Sequence, residues 1–216
     1  MLSEDEQWRI EDILVTHSHL DHIRGIPLLA DNIVVSGLPR TVRVHGTTEV
    51  LAALSTHLMN GVIWPDFTRI PTPESPVLRY QPIPVERSFQ VGDYEVLACP
   101  VNHPVPAVGY RVSRGGTSLL YTGDTGPTER IWELAGELAA LIVEVSFPCD
   151  MEEIALLTGH LTPVLLGNEL AKLPKLPPRI LITHLKPQYY DRIEAELEAL
   201  HLPGVKLLRG GNVYNL

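Results

Sequence analysis

Thr16-His17-Ser18-His19-Leu20-Asp21-His22 sets three imidazoles and a carboxylate within six residues, directly after the apolar run Ile13-Leu14-Val15. Side chains on a strand alternate with period two, so a strand continued through this point would put His17 and His19 on one face. Asp21 and His22 would then lie in the turn before the next helix, close enough to serve a second centre. Imidazole nitrogen with carboxylate oxygen suits zinc, iron or manganese better than calcium or magnesium. A polar loop with incidental histidines is the alternative, and three histidines at this spacing argue against it. The stretch reads as a metal site.

Three more apolar segments end in a residue able to bind metal. Tyr94-Glu95-Val96-Leu97-Ala98-Cys99-Pro100-Val101 is followed by Asn102-His103. Ser118-Leu119-Leu120-Tyr121-Thr122 runs into Gly123-Asp124, and Arg179-Ile180-Leu181-Ile182-Thr183 into His184. Loops at strand ends are where a rigid scaffold presents chemistry, whereas chance would scatter such residues along the elements.

The order H-x-H-x-D-H, a later His, an Asp and a last His resembles the metallo-β-lactamase superfamily, from about Glu11 to the C-terminus. The resemblance implies an α/β fold, a four-layer αβ/βα sandwich with a two-metal site along one edge of its sheets. It implies that His17, His19 and His103 hold the first metal. Asp21, His22 and His184 would hold the second, and Asp124 would bridge the two. The expected cofactors are two divalent ions, zinc first, with manganese and iron as alternatives. The carboxylates of Asp21 and Asp124 are thereby also expected to take part in catalysis.

The second half of the chain bears on the substrate. Leu141-Ile142-Val143-Glu144-Val145-Ser146-Phe147-Pro148 reads as a buried strand ending in a carboxylate and a turn. In Thr158-Gly159-His160-Leu161-Thr162-Pro163, Thr162 would cap a helix that begins at Pro163, with His160 just ahead of a helix start suited to an anion. Together with Gly61-Val62-Ile63-Trp64-Pro65-Asp66-Phe67, and with Ile23-Arg24-Gly25 closing the histidine motif, this resembles the class II cyclic-nucleotide phosphodiesterases. The implied activity opens a 3′,5′-cyclic nucleotide to the 5′-monophosphate through a metal-bridging hydroxide. His160 would stabilise the phosphate or protonate the leaving oxygen, and Glu144 would orient His160 or support a ligand. Trp64 reads as core rather than as a base-stacking platform. His45, His57 and His201 read as structural or surface residues.

The 216 residues, 44% of them hydrophobic, suffice for one sizeable core, and residues 1–216 are expected to form one domain. No apolar stretch is long enough to span a membrane. The acidic N-terminus resembles a helix capped by Ser3 with Glu6 rather than a signal peptide, so a cytoplasmic location is expected. Cys99 and Cys149 read as small buried apolar residues. Strands are expected near 11–16, 41–45, 77–81, 93–101, 107–113, 117–122, 140–146, 179–183 and 205–208. Helices are expected near 22–30, 47–59, 127–138, 163–172 and 188–200.

With 17 Lys+Arg against 26 Asp+Glu the net charge is −9, and no basic cluster stands out. Phosphate contacts supply most of the affinity for long RNA, so nucleic acid is disfavoured as a partner and a small phosphodiester is favoured. A tRNA 3′-processing endonuclease, a thioester or lactam hydrolase, and a truncated non-catalytic metal-binding protein are the alternatives. The resemblance also implies several strands ahead of the histidine motif, whereas sixteen residues precede His17. The expectation is an incomplete first sheet, its strands absent by truncation or its edge covered by a partner chain, with either homo-oligomer formation or reduced stability as the result.

Overall fold

Strand β1 (Asp12–Leu14) stops sooner than the apolar run suggests: Val15 N makes a last hydrogen bond to His45 O of the neighbouring strand, at 2.9 Å, and the histidine stretch continues as a loop. The structure, a computed structural model, describes residues 2–215. The chain separates into two compact units, Met1–Pro84 and Val85–Leu216, each with its own apolar core.

In the first unit a short capped helix, α1 (Glu4–Gln7), precedes β1; Ser3 and Glu6 form the expected capping box. His17 and His19 do not lie on a strand face, which corrects that expectation. They sit in the loop after β1, and His19 is the N-cap of helix α2 (Leu20–Ile23), so Asp21 and His22 occupy a helical turn. Helix α3 (Gly25–Ser36) follows at once. It tolerates Pro27 because its first turn has no partner for that missing N–H, and it ends at Gly37 with φ +70°.

Strands β1, β2 (Val42–Gly46) and β3 (Leu78–Pro82) form a parallel sheet in that order. Helix α4 (Thr48–Ala53), capped by Thr47, and a π-helical turn at Leu54–Leu58 connect β2 towards β3. Val15, Ala30, Ile33, Val42, Val44, Leu54 and Leu78 are buried in the core, and Trp64 packs against it as expected. Asp12 ties β1 to β2: its carboxylate accepts from Arg43 Nε and Nη2, both at 2.6 Å, and lies 2.7 Å from His45 Nε2. His45 is thus a structural residue, and Arg43 holds the Asp12 carboxyl below the ordinary carboxylate range.

The second unit is built on β4 (Ser88–Val91), β5 (Tyr94–Pro100), β6 (Val108–Arg114), β7 (Thr117–Tyr121), β8 (Ala140–Glu144), β9 (Ile180–Thr183) and β10 (Val205–Leu207). Its sheet runs β10-β9-β8-β7-β6-β5-β4. Pairing is parallel from β7 to β10 and antiparallel from β4 to β7. Strands β5, β7, β8 and β9 therefore all point the same way, and their carboxyl ends share one edge of the sheet. Ala140, Leu141, Val143, Ile180, Leu181 and Ile182 are buried in β8 and β9, the near-continuous apolar pattern of parallel strands covered on both faces.

Helices α5 (Arg130–Ala135), α6 (Glu152–Thr158), α7 (Pro163–Leu170) and α8 (Tyr190–Ala199) complete the unit. As expected, Thr162 caps α7: its hydroxyl accepts from Leu165 N at 3.3 Å, with Pro163 in the first turn. Two elements lie outside the expected set, β4 and α6. In β4 only Phe89 and Val91 are apolar, and no residue of the strand is buried. Helix α6 has acidic residues in its first turn and Gly159 just past its end, two terminal signals that periodicity alone does not weigh.

Candidate metal centre

In the first unit the loop from Thr16 and the turn of α2 gather imidazoles. The His17 ring centroid lies 4.8 Å from that of His19 and 4.2 Å from that of His22. Thr16 Oγ1 is 3.1 Å from His17 Nδ1, and the Asp21 carboxylate lies 3.5 Å from His22 Nε2. His17 is fully buried, whereas Asp21 is exposed. Imidazole nitrogens and a carboxylate are the donor types that a divalent transition-metal ion takes as ligands.

In the second unit the shared sheet edge does the gathering. His103 follows β5, Asp124 follows β7, Glu144 ends β8 and His184 follows β9. Ligand sites of open α/β sheets form outside the carboxyl ends of the strands, and these four residues lie there. The loops after β5 and β7 are tied together: Gly126 N donates to Asn102 O at 2.8 Å, and Asn102 N to Thr125 Oγ1 at 3.2 Å.

Asp124, His160 and His184 each offer a ligand atom, and the three atoms lie within 4.8 Å of one another. His184 Nε2 is 3.2 Å from Asp124 Oδ2. The His160 ring stacks on that of His184 at 5.3 Å and meets that of His103 edge-on at 5.4 Å. His103 Nδ1 lies 3.0 Å from the Gly159 carbonyl, which can only accept, so Nδ1 carries the proton and Nε2 faces away with its lone pair. His184 has φ +63°, a left-handed conformation that a non-glycine residue keeps only where its surroundings hold it.

Glu144 organises this group from beneath. It is fully buried, and its two oxygens take four donors: Thr125 N at 3.2 Å, His160 Nδ1 at 2.7 Å, Ser146 Oγ at 3.0 Å and Leu161 N at 3.3 Å. Burial pushes its carboxyl above the ordinary value, and the hydrogen bond from His160 pulls against that. Ser146, which sequence reasoning missed, links the set, since its hydroxyl lies 2.8 Å from His184 Nδ1. A hydroxyl has one proton, and a carboxylate is its strongest acceptor here. Ser146 therefore donates to Glu144 and accepts from His184 Nδ1–H, which leaves the lone pair of His184 Nε2 for a cation.

A family profile described as "Beta-lactamase superfamily domain" matches residues 3–185. Ribonuclease BN of Erwinia tasmaniensis is 24% identical over 89% of this chain and 77% of its own length. The 3′,5′-cyclic-nucleotide phosphodiesterase 1 of Saccharomyces cerevisiae is 25% identical over 82% of this chain; the match spans 56% of the yeast protein. Among solved structures, the metallo-β-lactamase fold protein YhfI of Bacillus subtilis superposes with a TM-score of 0.77 at 17% identity, over 96% of this chain and 78% of that one. That likeness shows the fold expected from the histidine motif.

Proposed function

This chain belongs to the beta-lactamase superfamily and is a hydrolase of metallo-β-lactamase fold, and on that premise we propose that it is a metal-dependent phosphodiesterase. Its proposed substrate is a small phosphodiester, a 3′,5′-cyclic nucleotide opened to the 5′-monophosphate. The observation that carries this reading is the Glu144–His160 pair at 2.7 Å, set beside Asp124 and His184 on one sheet edge. A second imidazole system at a candidate metal cluster, backed by a buried carboxylate, suits a reaction that must both hold an anionic phosphoryl group and protonate a leaving oxygen.

Following the order of the motifs along the chain, His17, His19 and His103 would hold one cation and Asp21, His22 and His184 another, with Asp124 shared. The donor set fits divalent ions, zinc before manganese or iron. Such ions acidify bound water and offset the negative charge of a phosphodiester. His103 and His184 keep their Nδ1 protons on Gly159 and Ser146, which aims each Nε2 outward. Glu144 holds the Nδ1 proton of His160, so Nε2 is the atom that meets the phosphate or hands a proton to the departing 3′ oxygen. Thr125 N and Leu161 N, donating to the same carboxylate, fix its position.

A tRNA 3′-processing endonuclease is the second reading, favoured by the ribonuclease relatives at similar identity. The net charge of −9 weighs against it, because RNA binding draws on phosphate contacts by cations. Hydrolysis of 3′,5′-cyclic AMP by the metal-loaded protein decides, with a tRNA precursor, a β-lactam and a thioester alongside. Chelator-sensitive release of 5′-AMP supports the reading. Cleavage of the precursor alone overturns it in favour of the endonuclease.

A further inference from the structure

We propose that Lys186 is a substrate-binding residue of this same site, whose ammonium takes a non-bridging phosphate oxygen and thereby selects phosphoryl anions; the proposal rests on the phosphodiesterase reading. Most cations of the second unit are already committed. Arg130 pairs with Glu86 and Glu133, Lys172 with Glu129 and Glu169, and Arg192 with Asp150 and Glu196. Lys186 differs. It is partly buried; among the described residues its ammonium has no ion pair or hydrogen bond with the protein, and it lies 5.8 Å from the centroid of the Phe147 ring.

Phe147 is itself buried, and its ring lies 5.9 Å from that of His160. Phe147 thus neighbours both the Lys186 ammonium and the His160 ring, and His160 stacks on His184, two residues before Lys186 in the chain. A ring face attracts a cation but accepts no strong hydrogen bond, so the three N–H donors of Nζ keep their capacity for an oxyanion. The backbone is prepared as well. Lys186 is extended, with φ −67° and ψ 125°, the region to which the following Pro187 confines it.

Charge supplies the reason for such a residue. A chain of net charge −9 repels an anionic substrate, and Asp124 and Glu144 lie buried in the same cluster. A local cation that no carboxylate has neutralised offsets this. A purely structural lysine, serving only to cover Phe147, would be replaceable by an apolar side chain of equal length without effect on anion binding.

That difference is measurable. Inorganic phosphate and 5′-AMP are titrated calorimetrically into metal-loaded wild type, Lys186→Met and Lys186→Arg, each checked for metal content and melting temperature. Lys186→Met should weaken phosphate binding roughly tenfold or more, the loss of one charged hydrogen bond, and Lys186→Arg should restore most of it. KM for bis(p-nitrophenyl) phosphate should rise in Lys186→Met and return towards the wild-type value in Lys186→Arg. Phosphate affinity within twofold of wild type in Lys186→Met overturns the proposal while leaving phosphodiester turnover standing. A wild type that neither binds phosphate nor cleaves any phosphodiester overturns the underlying reading and the proposal with it.

Discussion

His103 and Gly159 are joined across fifty-six positions by a 3.0 Å hydrogen bond from the imidazole to the carbonyl. Gly159 is at once the residue that ends α6, with φ +69°, and the floor on which His103 rests. A Cβ built there would meet Pro104 Cδ at 2.6 Å and His103 Nδ1 at 3.0 Å. Gly159→Ala should therefore both strain the backbone, by about 1–3 kcal/mol, and push the His103 ring from its place. The expected outcome is a lower melting temperature together with metal affinity weakened about 10–100-fold, read by competition with a chromophoric chelator. Wild-type metal affinity in this variant would remove His103 from the ligand set.

Ser146 gives a second prediction. Removing its hydroxyl leaves Glu144 one donor short in a fully buried place and releases the Nδ1 of His184. Ser146→Ala should cost about 1–3 kcal/mol in denaturant unfolding. It should also weaken metal binding, because the tautomer of His184 is no longer set. Ser146→Thr, which keeps the hydroxyl, separates that effect from mere loss of packing.

His160 lies within ligand distance of Asp124 and His184, yet the proposed function gives it the phosphate rather than a cation. His160→Ala should lower kcat about 10²–10⁴-fold while metal content, measured by atomic emission, stays that of the wild type. Loss of a metal ion on the same substitution would make His160 a ligand and transfer the proton-donor role elsewhere.

Asp12 supplies a prediction about pH and stability, independent of the site. Its carboxyl is held below the ordinary value of 3.8, chiefly by the hydrogen bonds from Arg43. A group depressed in the folded state contributes stability above its unfolded pKa, and that contribution fades as pH falls through the folded value. Arg43 is 43% exposed, so solvent screening keeps the contribution near 1 kcal/mol. Asp12→Asn should thus be less stable than wild type by about that amount at pH 7. In urea unfolding below pH 3.8 the two should converge; a constant gap down to low pH would show that the ion pair is not its source.

His17, His103, Asp124 and His184 were legible in the sequence because each follows an apolar run, and a strand end is a position that periodicity can locate. The Thr162-Pro163 start of α7 was legible for a similar reason, since cap chemistry is local. Ser146 was not. Its meaning comes from His184, thirty-eight positions later, and a serine after Glu-Val carries no mark of that neighbour. The placement of His17 and His19 on a strand failed because β1 ends at Leu14, a boundary that the apolar Val15 conceals. Strand β4 escaped notice because it is sheet by pairing with β5 rather than by its own composition.

Gly115 and Gly116, which turn β6 into β7, have φ of +57° and +83°, and a side chain at either would meet nothing within 4 Å. Strand β7 starts at this turn and ends near Asp124, so the hairpin stands at the opposite edge of the sheet from the loops that carry His103, Asp124 and His184. For anyone wishing to anchor the protein to a bead, an electrode or a dye, this turn is a natural port. A linker inserted between the two glycines would present that ligand-bearing edge to solution, with the attachment on the far side.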